Sequence, residues 1–252
     1  MKDIHSRGIR GQSPLIQKSV SLFFLVLALI FIIQIAFAQV PGADILSNTT
    51  ETKTPAAAEF LNTSGGSFTT IILSSETQNL KWKAYAGNVT GVLTLDDSGD
   101  YSIYRWSLTT FTGEVYASRN VSVLWSSIRC ANSTHITREE TKMNHTTTHP
   151  DSINKTFSQT LHRQFYVGST NIAQSTCRST FTWVNDTAQT PSITAPYQEV
   201  VLYDTRGLVY TTFIDDNMQG FNYKDYDFQM IVPERGVGGY TNTRYYFYME
   251  LQ

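Results

Sequence analysis

The chain has 252 residues, 13% of them aromatic and 16% charged, with a formal net charge of −2. That length suits one well-buried domain or two small ones. No basic patch is present and the net charge beyond residue 38 is −5, which argues against nucleic acid as a partner.

In chain order the first feature is the apolar run 20–38, preceded by Lys2, Arg7, Arg10 and Lys18 against the single acid Asp3. A positive flank stays cytoplasmic, so the chain is expected to run N-in, C-out. Ala36 and Ala38 ahead of Gln39 supply the small residues of a signal-peptidase site, and cleavage between Ala38 and Gln39 is the first reading. The run is long enough to span a bilayer, so an uncleaved membrane anchor is the second. Arg10-Gly11-Gln12-Ser13 resembles the processing site of archaeal type IV pilin precursors and gives a third, although Ile16 and Lys18 depart from that pattern.

Residues 39–66 are rich in Thr, Ser, Ala, Gly and Pro and poor in large apolar side chains. Such a stretch cannot offset its ordering entropy and reads as a flexible stalk, with an ordered strand near 56–61 as the alternative. Strand signals then begin at 67–74, 80–86 and 90–95, and an acidic turn at 96–100 joins the last of these to 101–108 as a hairpin. The series continues at 113–118 and 120–125 with the spacing of a sandwich rather than of βαβ units. Residues 131–163 carry few large apolar side chains and read as an exposed, partly helical insertion, with capping signals at Thr137 to Glu140 and at Asp151. Strands resume at 164–169, 179–184 and 199–204, a turn at 204–207 leads into 208–214, and the chain closes with 226–232 and 243–251. The final strand is expected inside the sheet, with Tyr245, Phe247, Met249 and Leu251 on one face.

Two features fix the expected compartment. Sequons begin at Asn48, Asn62, Asn88, Asn120, Asn132, Asn144, Asn154 and Asn185, eight of the 13 Asn beyond residue 38, where about three are expected by chance. The two cysteines, Cys130 and Cys177, both follow the signal, so in an oxidising compartment they are expected to pair. Two free buried thiols are the alternative.

The segments TGEVYASR (112–119), Cys130-Ala-Asn, DSINKTF (151–157), DFQMIVPE and the closing YYFYMEL resemble a family of uncharacterised secreted proteins from archaea. The resemblance covers most of the chain beyond the signal and implies a surface glycoprotein with a β-sandwich core. It carries no activity with it.

Catalytic signatures are missing: there is no GxSxG and no HExxH. His145 and His149, with His135, His162 and Asp151, form the best metal grouping, but the Thr run between them and Pro150 disfavour the helix that would align them. The acidic turns at Asp96, Asp97 and Asp100 and at Asp215 and Asp216 lack EF-hand spacing. Glu114 with Glu139 or Glu140 is a conceivable glycosidase pair, and Trp82, Trp106, Trp125 and Trp183 are expected in the core rather than on a sugar platform. No catalytic, cofactor-binding or metal residue is assigned, and the chain is expected not to be an enzyme.

The expectation is an all-β protein: an antiparallel β-sandwich, Ig-like or jelly-roll-like, over 67–252. It is read as a structural, envelope or adhesion glycoprotein of the cell surface, partnered by envelope proteins or by itself, with the membrane as a further partner if the N-terminal helix is kept. A pilin-like or strand-donating filament subunit, and a carbohydrate-binding module or enzyme, are the alternatives.

Overall fold

The structure, a computed structural model, describes residues 39–236 and 242–252. The apolar run, its three readings and Ala38 lie outside the described residues, while Gln39 begins them exposed and Val40 is buried. In chain order the strands are β1 (Trp82–Gly87), β2 (Leu93–Asp96), β3 (Ser102–Trp106), β4 (Gly113–Ser118) and β5 (Arg129–Cys130). Two helices follow, α1 (Ser133–Met143) and α2 (Ile153–Thr156), then β6 (Phe165–Val167), β7 (Thr170–Ile172), β8 (Ser179–Phe181), β9 (Gln198–Tyr203) and β10 (Leu208–Phe213). The last four are β11 (Met218–Gln219), β12 (Asp225–Tyr226), β13 (Phe228–Pro233) and β14 (Tyr246–Leu251).

The fold grows from the β9–β10 hairpin. Asp204 Oδ1 accepts the backbone N–H groups of Arg206 and Gly207 at 2.9 and 2.8 Å, closing the turn the sequence signalled. Its Oδ2 accepts Leu124 N–H at 3.0 Å, so the same carboxylate ties a second segment to the hairpin. Every residue of β9 and β10 is buried, because the antiparallel sheet β14-β4-β10-β9-β5 is covered on both faces. On one face Tyr116, Val200, Leu202, Val209 and Phe213 meet Trp125, Ile128, Phe165, Val167 and Ile172. On the other, Ala117, Val201, Tyr203, Leu208 and Tyr210 meet Ile136, Ile153 and Phe157 of the helical stretch and Met230 and Val232 of β13. β1 pairs with β13 as a separate two-stranded ribbon on this second side.

Cys130 and Cys177 are disulfide-bonded with their Cα atoms 4.9 Å apart. β5 pairs with the end of β9 and β8 with its beginning, along the edge that β10 leaves open. The bridge therefore links β5 to the segment that leads into β8. At the start of β4, Gly113 has φ +132°, and a Cβ there would lie 1.9 Å from the Glu250 carbonyl oxygen. Only glycine permits so close a strand approach.

The all-β, antiparallel expectation holds, but several local expectations do not. Residues 67–74 form no strand and are exposed. Residues 120–124 form none either: Val123 and Trp125 reach the core, but the backbone leads into a 3₁₀ turn at Trp125–Ser127 and is held by Asp204. The stretch 131–163 is not a detached insertion, since α1 buries Ile136, Glu139, Glu140 and Met143, spaced for one helix face. Its cap is Asn132, whose side chain accepts His135 N–H, and not Thr137, while Ser152 rather than Asp151 caps α2.

β14 is an edge strand of the described sheet, guarded on its outer side by residues 41–43. Ala43 N–H donates to the Phe247 carbonyl and Met249 N–H to that of Pro41, at 3.1 and 3.2 Å. Most of the stretch expected as a stalk, 39–66, falls in a loop, 44–80, tied to the body by 40–43 at one end and by β1 at the other.

Candidate functional site

Three kinds of site were conceivable from the residues: a metal centre, a carboxylate pair and an aromatic surface. The histidines do not converge. His135 stacks on Tyr203 with ring centroids 3.6 Å apart, and His145 Nε2 lies 2.7 Å from the Glu234 carbonyl. His162 is fully buried, with Nδ1 donating to the Arg163 carbonyl and Nε2 accepting the N–H groups of Thr176 and Cys177. The acidic turns are likewise occupied by protein donors. Asp96 accepts the Thr94 hydroxyl, Asp97 accepts Gly99 and Tyr101 N–H, Asp215 pairs with Arg163 and Asp216 accepts Asn217 Nδ2. Among the described residues no group of three or more His, Cys, Asp or Glu side chains could hold a metal.

A carboxylate pair does form, though with a partner that the sequence did not suggest. Glu114 and Glu250 stand directly opposite each other on β4 and β14. Tyr116 Oη donates to Glu250 at 3.2 Å, Gly168 N–H reaches both Glu250 oxygens, and Gln252 Nε2 donates to Glu114 at 2.9 Å. Burial, reinforced by the Glu250 carboxylate, pushes the Glu114 carboxyl up to about 8. Glu139 is instead held by Arg119 through two bonds of 2.6 and 2.7 Å, and Glu140 accepts Asn154 N–H. The expected pairing of Glu114 with either of them is not formed.

Glu114 is only 3% exposed, so its carboxyl offers a substrate no face. The hollow beside Arg119, Asn120, Glu139 and Arg206 encloses about 70 Å³, well below the roughly 300–1,000 Å³ of small-molecule sites, while a depression of about 400 Å³ along α1, lined by Ser133, Thr134, Thr137, Arg138 and Thr141, lies open to solvent rather than enclosed.

The surface is where the chain departs from an ordinary globular body. In the β2–β3 hairpin the register pairs Leu93 with Trp106 and Leu95 with Tyr104. Directly opposed residues share a face, so these four side chains form one apolar layer. They are 37%, 46%, 56% and 59% exposed respectively, and among the described residues no other strand pairs with the hairpin. Among the described residues the hairpin is a two-stranded sheet by itself, so neither of its edges has a strand partner there. Trp106, expected in the core, stands in this layer with Tyr104 at 4.9 Å and 60°, too tilted for a flat sugar platform. Trp183 is also exposed, whereas Trp125 is in the core and Trp82 is half-buried with Nε1 donating to the Asp151 carbonyl.

A second apolar surface lies on the tied loop, where Phe68, Ile72 and Leu73 are 94%, 97% and 84% exposed. The sequence showed the strand character of both segments. That neither pairs with another described strand is visible only in the fold.

A scan of protein-family models finds no match to this chain, and searches of curated proteins and of solved structures find none either. The sequon asparagines stand mainly outside: Asn48, Asn62, Asn88, Asn132 and Asn144 are exposed, while Asn120, Asn154 and Asn185 are partly covered. Asn185 Nδ2 donates to Gln219 Oε1 at 2.9 Å, and its Oδ1 is enclosed without a partner.

Proposed function

We propose that this chain is an exported, N-glycosylated surface protein with a structural or adhesive role, of the archaeal secreted kind its sequence resembles, and that it turns over no substrate. The observation that carries the reading is the disulfide across the β9 edge in a body none of whose eight sequon asparagines is buried. A persistent structural disulfide belongs to an oxidising compartment, and a glycan needs a solvent-facing asparagine. In this reading the body is a sandwich-like β domain whose second layer is shared between the β1–β13 ribbon and the helices. The filament-subunit alternative draws support from the uncovered β2–β3 hairpin and from the exposed strand-like segment 67–74.

The test is to express the full chain, leader included, in a host with N-glycosylation. N-terminal sequencing, intact mass with and without glycosidase, and glycopeptide mapping follow. The expected result is an exported chain, two hydrogens lighter than the reduced form, with glycan at Asn48, Asn62, Asn88, Asn132 and Asn144 and little at Asn185. Retention in the cytoplasm with reduced cysteines and no glycan would overturn it. A mature start at Gln39, at Gln12 or at Met1 would separate secretion, pilin-type processing and anchoring.

A further inference from the structure

The loop segment 68–73 and the β2–β3 hairpin have complementary deficits. Residues 68–78 make no backbone hydrogen bond among the described residues, although FTTIIL has the β-branched and aromatic composition of a strand. In an extended chain Phe68, Thr70 and Ile72 share one face and Thr69, Ile71 and Leu73 the other. The hairpin has an open edge to accept a strand and an apolar layer that stops at that edge.

Neither surface is interrupted by a sequon. The stretches 63–87 and 89–119 contain none, as is also true of 186–252. Charge is sparse as well, with none in 67–74 and only Asp96 and Arg105 in the two strands. The hairpin is a poor wedge for lipid, since its tip carries Asp96, Asp97 and Asp100.

We infer that segment 68–73 of one copy adds as a strand to the open edge of the β2–β3 hairpin of a second copy, with Phe68 and Ile72 extending the Leu93, Leu95, Tyr104 and Trp106 layer. The inference rests on the surface-protein reading and names its partner. Strand addition satisfies the loop's backbone groups, while the side-chain layer sets register and specificity. Phe68 and Ile72 are almost fully exposed in the loop while Tyr104 and Trp106 are about half exposed, so what strand addition buries comes mainly from the donor side chains and six residues of backbone, a contact at the low end of interface sizes. Donor and acceptor are different surfaces, so copies associate either by reciprocal exchange as a closed dimer or head to tail into rings or filaments.

The test uses the secreted full chain from the experiment above, in wild-type form, as F68D/I72D (donor) and as Y104D/W106D (acceptor), followed by light scattering and electron microscopy. All four side chains are exposed, so both variants are expected to keep the wild-type circular dichroism and melting. Wild type is expected to form concentration-dependent oligomers. Each variant alone is expected to be monomeric, with association weakened about 30-fold or more. An equimolar mixture of the two is expected to stop at the dimer, because it holds one working donor and one working acceptor. A monomeric wild type, oligomers unaffected by either variant, or binding to phosphatidylcholine vesicles without self-association would overturn the inference. Export and glycan mass, read on the same samples, report separately on the surface-protein reading.

Discussion

Glu114 and His162 are titratable groups held neutral by burial, and they bound the pH range of the fold from opposite sides. Glu114 is pushed up to about 8 in the folded chain, so between an unfolded value near 4.5 and about 8 the folded state holds the extra proton. Stability therefore falls as pH rises through that window. Burial instead lowers the His162 imidazole, which accepts two N–H groups beside the disulfide. The unfolded chain takes up a proton below about 6.5, so this contribution is lost as pH falls from there. The E114Q variant is expected to flatten the alkaline limb and to gain about 3 kcal/mol at pH 7 as an upper bound. Urea unfolding at pH 5, 7 and 8 measures this, and an unchanged slope would show that Glu114 is ionised in the fold.

At the scale of the element, the disulfide holds together the edge formed by β5 and β8. Cys130 and Cys177 are 47 residues apart, and closing a loop of that length is worth roughly 4 kcal/mol in the chain-entropy model. The C130A/C177A double variant is expected to lose about 3–4 kcal/mol in chemical denaturation, and loss of under about 1 kcal/mol would place the clamp elsewhere. The disulfide and the β9–β10 hairpin were legible because each depends on local chemistry: two cysteines in one compartment, and an Asx turn between apolar runs. Helix α1 was harder to read because its buried face includes Glu139 and Glu140, whose burial makes sense only beside Arg119 and the Asn154 N–H. Segment 67–74 misled because strand propensity describes fitness for a pleat and not the presence of a neighbour. The Glu114–Glu250 pair depends on the register of strands from distant parts of the chain, which no local pattern encodes.

For the whole molecule, the loop 44–80 is the least supported part of the described chain, exposed almost throughout. Such segments are where proteases cut first. Brief digestion is expected to cleave within 44–79 and to leave the thermal midpoint of the body within about 2 °C of its intact value. A larger drop would mean that the loop carries part of the fold.

The same tie gives the chain a mechanical property. Tension applied ahead of Val40 enters through residues 41–43 alongside β14, not through β1. Those few bonds can slip while the sheet stays whole, and residues 44–80 then straighten to a reach of roughly 120 Å before any load arrives at β1. The loop would act as stowed slack, turning a sharp pull into extension and sparing the disulfide-bonded core.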